Sequence, residues 1–268
     1  MTRSRLANAC IGLGAAGLVV CGVTLALHTR GLSVARAEQQ RRFDERSAVA
    51  GRMVRVGGFF IDETEVSTKS FRACVDAGAC SAPSRGEHCN FERTDREDHP
   101  INCVDRAQAA AYCAWAGRRL PAASEWESAA CPGSKYPWAG DDVAGRDCFD
   151  RDTQWESRGA GQFLVAKAQG TCPVGAHPRG AAASGALGMA GNVAEWTNSE
   201  ERIGGVRSNR WVVHGASWAT PSARRQVECP SRALRAPEYR DALLGFRCAR
   251  NAEPSLAHEM VESLAQGT

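Results

Sequence analysis

From Leu6 to Leu27 the chain runs 22 residues without a charge; beyond Val49 its apolar positions fall into short groups separated by Gly, Pro and charged residues. The first of these groups, Met53 to Asp62, predicts a strand with a bulge at Gly57-Gly58. Ser67 or Thr68 then caps a short helix, with Phe71, Cys74 and Val75 at i, i+3 and i+4 on one face and Gly78 as its stop. Asp105 and Gln108 have capping-box spacing and open a helix that ends at Gly117; Pro121 leads into another ending at Cys131. After Pro132 about 70 residues show no sustained period. That is too long for an ordinary loop unless bridges or metal ions organise it. Strands return at Trp211–His214 and Gly245–Cys248. Helices early and strands late predict an α+β domain.

The uncharged run matches the roughly 20 residues that a helix needs to cross a bilayer. We read residues 1–27 as a signal anchor with one transmembrane helix, preceded by Arg3 and Arg5. The competing reading is a signal peptide cut after Ala37, at Ala35-Arg36-Ala37, which would leave a secreted protein. Residues 28–50 are charged and Ala-rich without an apolar stripe, as expected of a solvated stalk. Residues 51–250 form the domain. In the tail, 251–268, Leu256, Met260, Val261 and Leu264 have helical spacing but read as a frayed end.

Ten of the 12 cysteines lie between Cys74 and Cys248. This density reports an oxidising compartment, because cytosolic thiols are kept reduced. The domain therefore faces the periplasm or the extracellular side. Charge is nearly balanced, with 33 basic and 30 acidic residues and a net charge of +3. There is no basic stripe with interleaved aromatics, so nucleic acid is not an expected partner. P-loop, dinucleotide and nucleophile-elbow fingerprints do not occur. No two of the six histidines stand at i, i+4 beside a carboxylate, which leaves a non-haem iron triad without local support.

Four segments are specific in combination. They are Phe59–Gly78, His99–Ala130 with Ala-Tyr-Cys-x-Trp-x-Gly-x-Arg-Leu-Pro, Gly185–Ser199 with Gly-Asn-Val-x-Glu-Trp, and Val212–Arg250 ending in Gly-Phe-Arg-Cys. In this order they resemble the sulfatase-modifying-factor family, which includes the formylglycine-generating enzyme. The resemblance implies a C-type-lectin-like fold, loop-rich, with short helices and a small twisted sheet. It also implies bridges Cys113–Cys248 and Cys131–Cys229. Proximity adds Cys74–Cys80, Cys89–Cys103 and Cys148–Cys172, leaving the domain no free thiol.

In that family a copper ion is held by two cysteines, the first directly after a Gly-Gly-Ser-(Trp/Tyr)-x motif and the second five residues later. The counterparts here are Thr220 and Arg225, neither of which supplies the soft thiolate that copper(I) requires. Copper is therefore not expected. Ser217 and Trp218, with Thr220, Arg225 and His214, are the candidate lining of a binding groove, although a lone His214 also suits a polar strand position. Calcium is the candidate cofactor. The resemblance places it at the carbonyls of Gly191 and Val193 and at the Glu195 carboxylate, a set weakened because Gly188 stands where a side-chain donor is wanted. A second family calcium loop falls near Asp147–Thr171, where Ala166 and Lys167 replace oxygen donors. Trp115, Trp126 and Trp196 read as core plugs. The leading reading is a membrane-tethered, non-catalytic module binding a protein, peptide or glycan outside the cytoplasm. The alternatives are a formylglycine-generating oxidase with a variant site, or another extracytoplasmic enzyme on the same scaffold.

Overall fold

The computed structural model describes residues 15–131, 133–149, 154–158, 161–165, 170–220 and 227–252, with side chains described from residue 31 onward outside the 154–165 hairpin. Two compact units result, Met1–Ser47 and Ala48–Thr268. Within the first, helix α1 (Ala15–Val49) begins. From residue 31 it mixes charged residues with exposed Leu32, Val34 and Phe43, and Arg41 and Arg42 pair with Glu38 at 2.9 and 2.7 Å on its surface. Residues 6–14 of the uncharged run, Cys10 included, lie outside the described residues. Among the described residues, no helix is long and apolar enough to cross a membrane.

The second unit is α+β. Strands β1 (Met53–Val56) and β2 (Phe59–Asp62) form an antiparallel hairpin, and β9 (Ala249–Asn251) pairs with the free edge of β2. Gly57, at φ 54°, makes the tight turn between β1 and β2, where the sequence predicted a bulge within one strand. Helix α2 (Thr68–Asp76) is capped by Ser67, whose hydroxyl accepts from the Ser70 amide. Helix α3 (Arg106–Trp115) carries the Asp105/Gln108 capping box, and α4 (Ala123–Ala130) follows. In the long irregular region the described strands are the hairpin β3 (Gln154–Arg158) and β4 (Gly161–Val165). The second sheet has the order β7-β6-β5-β8. It is built from the long hairpin β5 (Ala194–Ile203) and β6 (Val206–His214), edged by β7 (Arg232–Arg235) and by β8 (Leu244–Gly245), which runs parallel to β5. Of the expected strand Gly245–Cys248 only Gly245 is in a strand, at the end of β8; Phe246–Cys248 connect β8 to β9. The tail beyond residue 252 lies outside the described residues.

One core layer packs Phe71, Tyr112, Trp196, Phe246 and Leu244 between α2, α3 and the second sheet; another packs Ile61, Trp126 and Met189. Trp126 and Trp196 are the plugs the sequence predicted, at 1% and 0% exposure, while Trp115 is partly buried against the first core. All five expected bridges form. Cys113–Cys248 ties α3 to the residue before β9, and Cys131–Cys229 ties the end of α4 to the segment before β7. No cysteine among the described domain residues is free.

Candidate functional site

The loop after β6 carries the motif Gly215-Ala216-Ser217-Trp218-Ala219-Thr220. It is a compact turn: the Thr220 amide donates to the Ser217 carbonyl at 2.9 Å, and the Ser217 amide returns a bond to Thr220 Oγ1 at 3.1 Å. The two hydroxyls stand 3.3 Å apart. At the position where the resemblance calls for a thiolate, the chain thus holds a hydroxyl engaged by its own loop. Such a group is a poor ligand for a soft cation. Arg225 lies outside the described residues.

Trp218 and His214 do not line a groove, which corrects the expectation from sequence. Trp218 is fully buried; its Nε1 donates to the Ala242 carbonyl at 3.2 Å, and its amide donates to the Asn192 carbonyl at 2.8 Å. The ring anchors the loop from beneath. His214, the last residue of β6, is equally buried and stacks on Trp126 with ring centroids 4.9 Å apart. Its Nδ1 donates to the Ser231 carbonyl at 2.9 Å, and Nε2 faces Glu127 at 3.3 Å. Burial lowers the His214 pKa, ahead of the opposing effects of the Ser231 carbonyl and Glu127. Of the described groove candidates, Ser217 is 5% exposed and only Thr220 is half-buried.

The Gly-Asn-Val-x-Glu-Trp segment resolves differently from a cation site. Glu195, fully buried on β5, accepts from Trp126 Nε1 at 2.7 Å and from Arg247 Nε and Nη2 at 2.8 and 2.7 Å. Those donors fill both carboxylate oxygens. Arg247 in turn donates to the carbonyls of Asp62, Glu63 and Leu187, joining β2, the loop before β5 and the end of β8 at one guanidinium. Gly191 offers its amide to Asp147 Oδ2 at 2.9 Å, and Val193 is a core residue. A calcium ion needs six to eight oxygens with free lone pairs. Three donors already engage the Glu195 carboxylate and Gly188 supplies no side chain, so the family donor set is depleted for such an ion here.

At Gly188, where the family places a donor side chain, the space is taken from elsewhere in the chain. A Cβ on Gly188 would lie 2.5 Å from Glu65 Oε1, and Gly188 has φ +66°. Glu65 is 3% exposed, and neither of its carboxylate oxygens has a hydrogen-bond partner. Burial pushes its pKa up to about 8, Arg247 nearby pulling the other way. Sequence reasoning missed Glu65, and it named Asp147 only as the start of a family calcium loop and not as the buried acceptor it is. Neither stands in a local pattern that signals burial, although Arg247 was visible within the Gly-Phe-Arg-Cys motif.

Matching against known families places residues 25–252 in the sulfatase-modifying factor enzyme 1-like domain. The chain belongs to this family. Within it, the chain is 36% identical over 160 residues to the mouse (Mus musculus) inactive C-alpha-formylglycine-generating enzyme 2, covering 57% of this chain and 49% of that protein. It is 29% identical over 190 residues to the bovine (Bos taurus) formylglycine-generating enzyme, covering 60% and 46%. The chain thus spans about half the length of these curated relatives. In fold, this sulfatase-modifying-factor domain is similar to PvdO from Pseudomonas aeruginosa, with a TM-score of 0.53 and 24% identity over 72% of this chain and 80% of that one.

Proposed function

We propose that this member of the family is a non-catalytic module, tethered to a membrane and facing the extracytoplasmic side, that binds a protein, peptide or glycan. The observation that carries the reading is the state of sulfur: all ten cysteines from Cys74 to Cys248 are closed into bridges, and Thr220 stands at the first copper-ligand position. A copper oxidase of the family type requires two thiolates side by side, and this domain has them only after reduction. The likeness to a relative named as inactive supports the same reading.

The tether is residues 6–27, and the disulfide density supports an oxidising compartment. The binding face is the loop surface around Thr220 and Arg225, with buried Trp218 and Ser217 as its support rather than as contacts. Alkylation of the folded, unreduced chain followed by mass mapping tests the reading. It predicts no modification from Cys74 through Cys248; two modified neighbouring cysteines there would overturn it.

A further inference from the structure

The Cys148–Cys172 bridge is surrounded by contacts that would keep its two cysteines together without the bond. The Asn192 side chain accepts from the Cys172 amide at 3.0 Å and donates to the Cys172 carbonyl at 3.3 Å. The Asn192 amide donates to the Cys148 carbonyl at 3.0 Å. Asn192 adopts φ 61° to make these contacts, a conformation that non-glycine residues seldom take. On the other side, Asp147 Oδ1 accepts from the Cys148 amide at 2.8 Å, while Oδ2 is fixed by the amides of Ala190 and Gly191.

A third ligand-type group stands beside the sulfurs. Both Sγ atoms and a ring nitrogen of His177 lie within 4.8 Å of one another, the only such group among the described residues. His177 is placed by contacts independent of the bridge. The turn that follows it, Pro178–Gly180, packs so closely on Arg146 that a Cβ on Gly180 would meet the Arg146 carbonyl at 1.6 Å. Arg146 Nη1 also donates to the Arg179 carbonyl at 2.6 Å. Cys172 and His177 are half-buried, so reductant and metal have access, whereas Cys148 is 4% exposed.

From this geometry we infer that Cys148, Cys172 and His177 form a reductively opened site for a d10 metal cation, Zn²⁺ or Cu⁺, masked as a disulfide in the oxidised protein. Two thiolates and an imidazole are the donor set such ions take, with metal–sulfur distances of about 2.3 Å, metal–nitrogen distances of about 2.0 Å and a fourth position open to water. Tetrahedral ligands at those lengths sit about 3.5–3.8 Å apart, inside the present envelope once the S–S bond is broken. Opening consumes one dithiol reductant. Its two thiols become a disulfide, and the Cys148–Cys172 bond takes up two electrons and two protons. Metal binding then releases both thiol protons, and the metal keeps its oxidation state.

The site is separate from the Thr220 position. Cys148 packs against Trp218 and Ala219, so a bound cation would lie beneath the loop that carries Thr220.

The test uses the full chain in detergent, treated with dithiothreitol without denaturant, desalted anaerobically and given zinc alone. Bound zinc is counted, and alkylation with mass mapping identifies the protected cysteines. The inference predicts about one zinc per reduced chain, none in the oxidised chain, and protection of Cys148 and Cys172. His177→Ala should weaken zinc binding at least about tenfold while leaving alkylation of the metal-free reduced protein unchanged. A bridge that resists the reductant, zinc that protects other cysteines, equal uptake before and after reduction, or a His177→Ala protein that binds as tightly would each overturn it.

Discussion

Arg247 and Glu195 form a two-pronged ion pair at 0% exposure on both side chains, with Nη2–Oε1 at 2.7 Å and Nε–Oε2 at 2.8 Å. This pair occupies the Glu of the family calcium motif and joins the two sheets through the carbonyls that Arg247 also holds. Removing one partner leaves the other charge buried and uncompensated, which costs about 3–5 kcal/mol. Arg247→Met should therefore lower the free energy of unfolding in urea by that amount. A variant within 1 kcal/mol of the parent, by the same rough scale, would show that the pair is not a structural node.

Glu65 contributes to the pH dependence together with Asp62, whose pKa burial raises to about 7. The folded pKa of Glu65 is raised from 4.5 to about 8, chiefly because burial penalises the charged form, so the folded state keeps a proton that the unfolded chain releases. The stability carried by that proton is fully present below about pH 4.5 and is lost as pH rises through 8. Unfolding curves from pH 5 to 9 should thus show a decline for the parent that Glu65→Gln makes shallower, the part due to Asp62 remaining. Parallel curves would contradict this account of the carboxyl group.

Gly188 and Glu65 share one space. Gly188→Ala should destabilise the domain through both the close approach to Glu65 and the positive φ. In a Glu65→Ala background only the conformational part, about 1–2 kcal/mol, should remain. A double-mutant cycle measures the difference, and strict additivity would mean that the two side chains do not compete.

Trp218 is an anchor, not a contact surface. Truncating a fully buried Trp costs about 3–5 kcal/mol, so Trp218→Ala should unfold at markedly lower denaturant. A Trp218→Ala domain of parental stability would return this ring to the candidate binding face.

Among the bridges, Cys113–Cys248 spans 135 residues and Cys74–Cys80 only 6. If chain entropy dominates, replacing the long bridge by Ala pairs should cost about 4–5 kcal/mol, and replacing the short one clearly less. Equal losses would place the stabilisation in native packing instead.

The caps were legible in the sequence because they are local: Ser67, Asp105 and Gln108 act within three residues of themselves. The bridges were legible because family likeness and short spacing constrain them. Of the β5–β6 hairpin only Trp211–His214 was read, since its outer half is charged and faces water, with Ile203 and Val206 each 70% exposed at the tip. No period-2 pattern survives where neither face is buried. Gly204-Gly205 was its remaining signal, just as Gly57-Gly58 marked a turn rather than a bulge. The groove was misjudged at His214 and Trp218 because neighbourhood in sequence does not reveal which way a loop folds over its own rings. Glu65 was missed for the opposite reason: its surroundings come from Gly188 and Arg247, far away along the chain.

The central claim is that this domain lacks the thiolates needed to run the copper chemistry of its catalytic relatives. Its most direct test is to incubate the oxidised full chain with copper, oxygen and a Cys-x-Pro-x-Arg peptide and to follow the peptide by mass spectrometry. The account predicts a peptide of unchanged mass. Conversion of its cysteine to formylglycine would contradict the account.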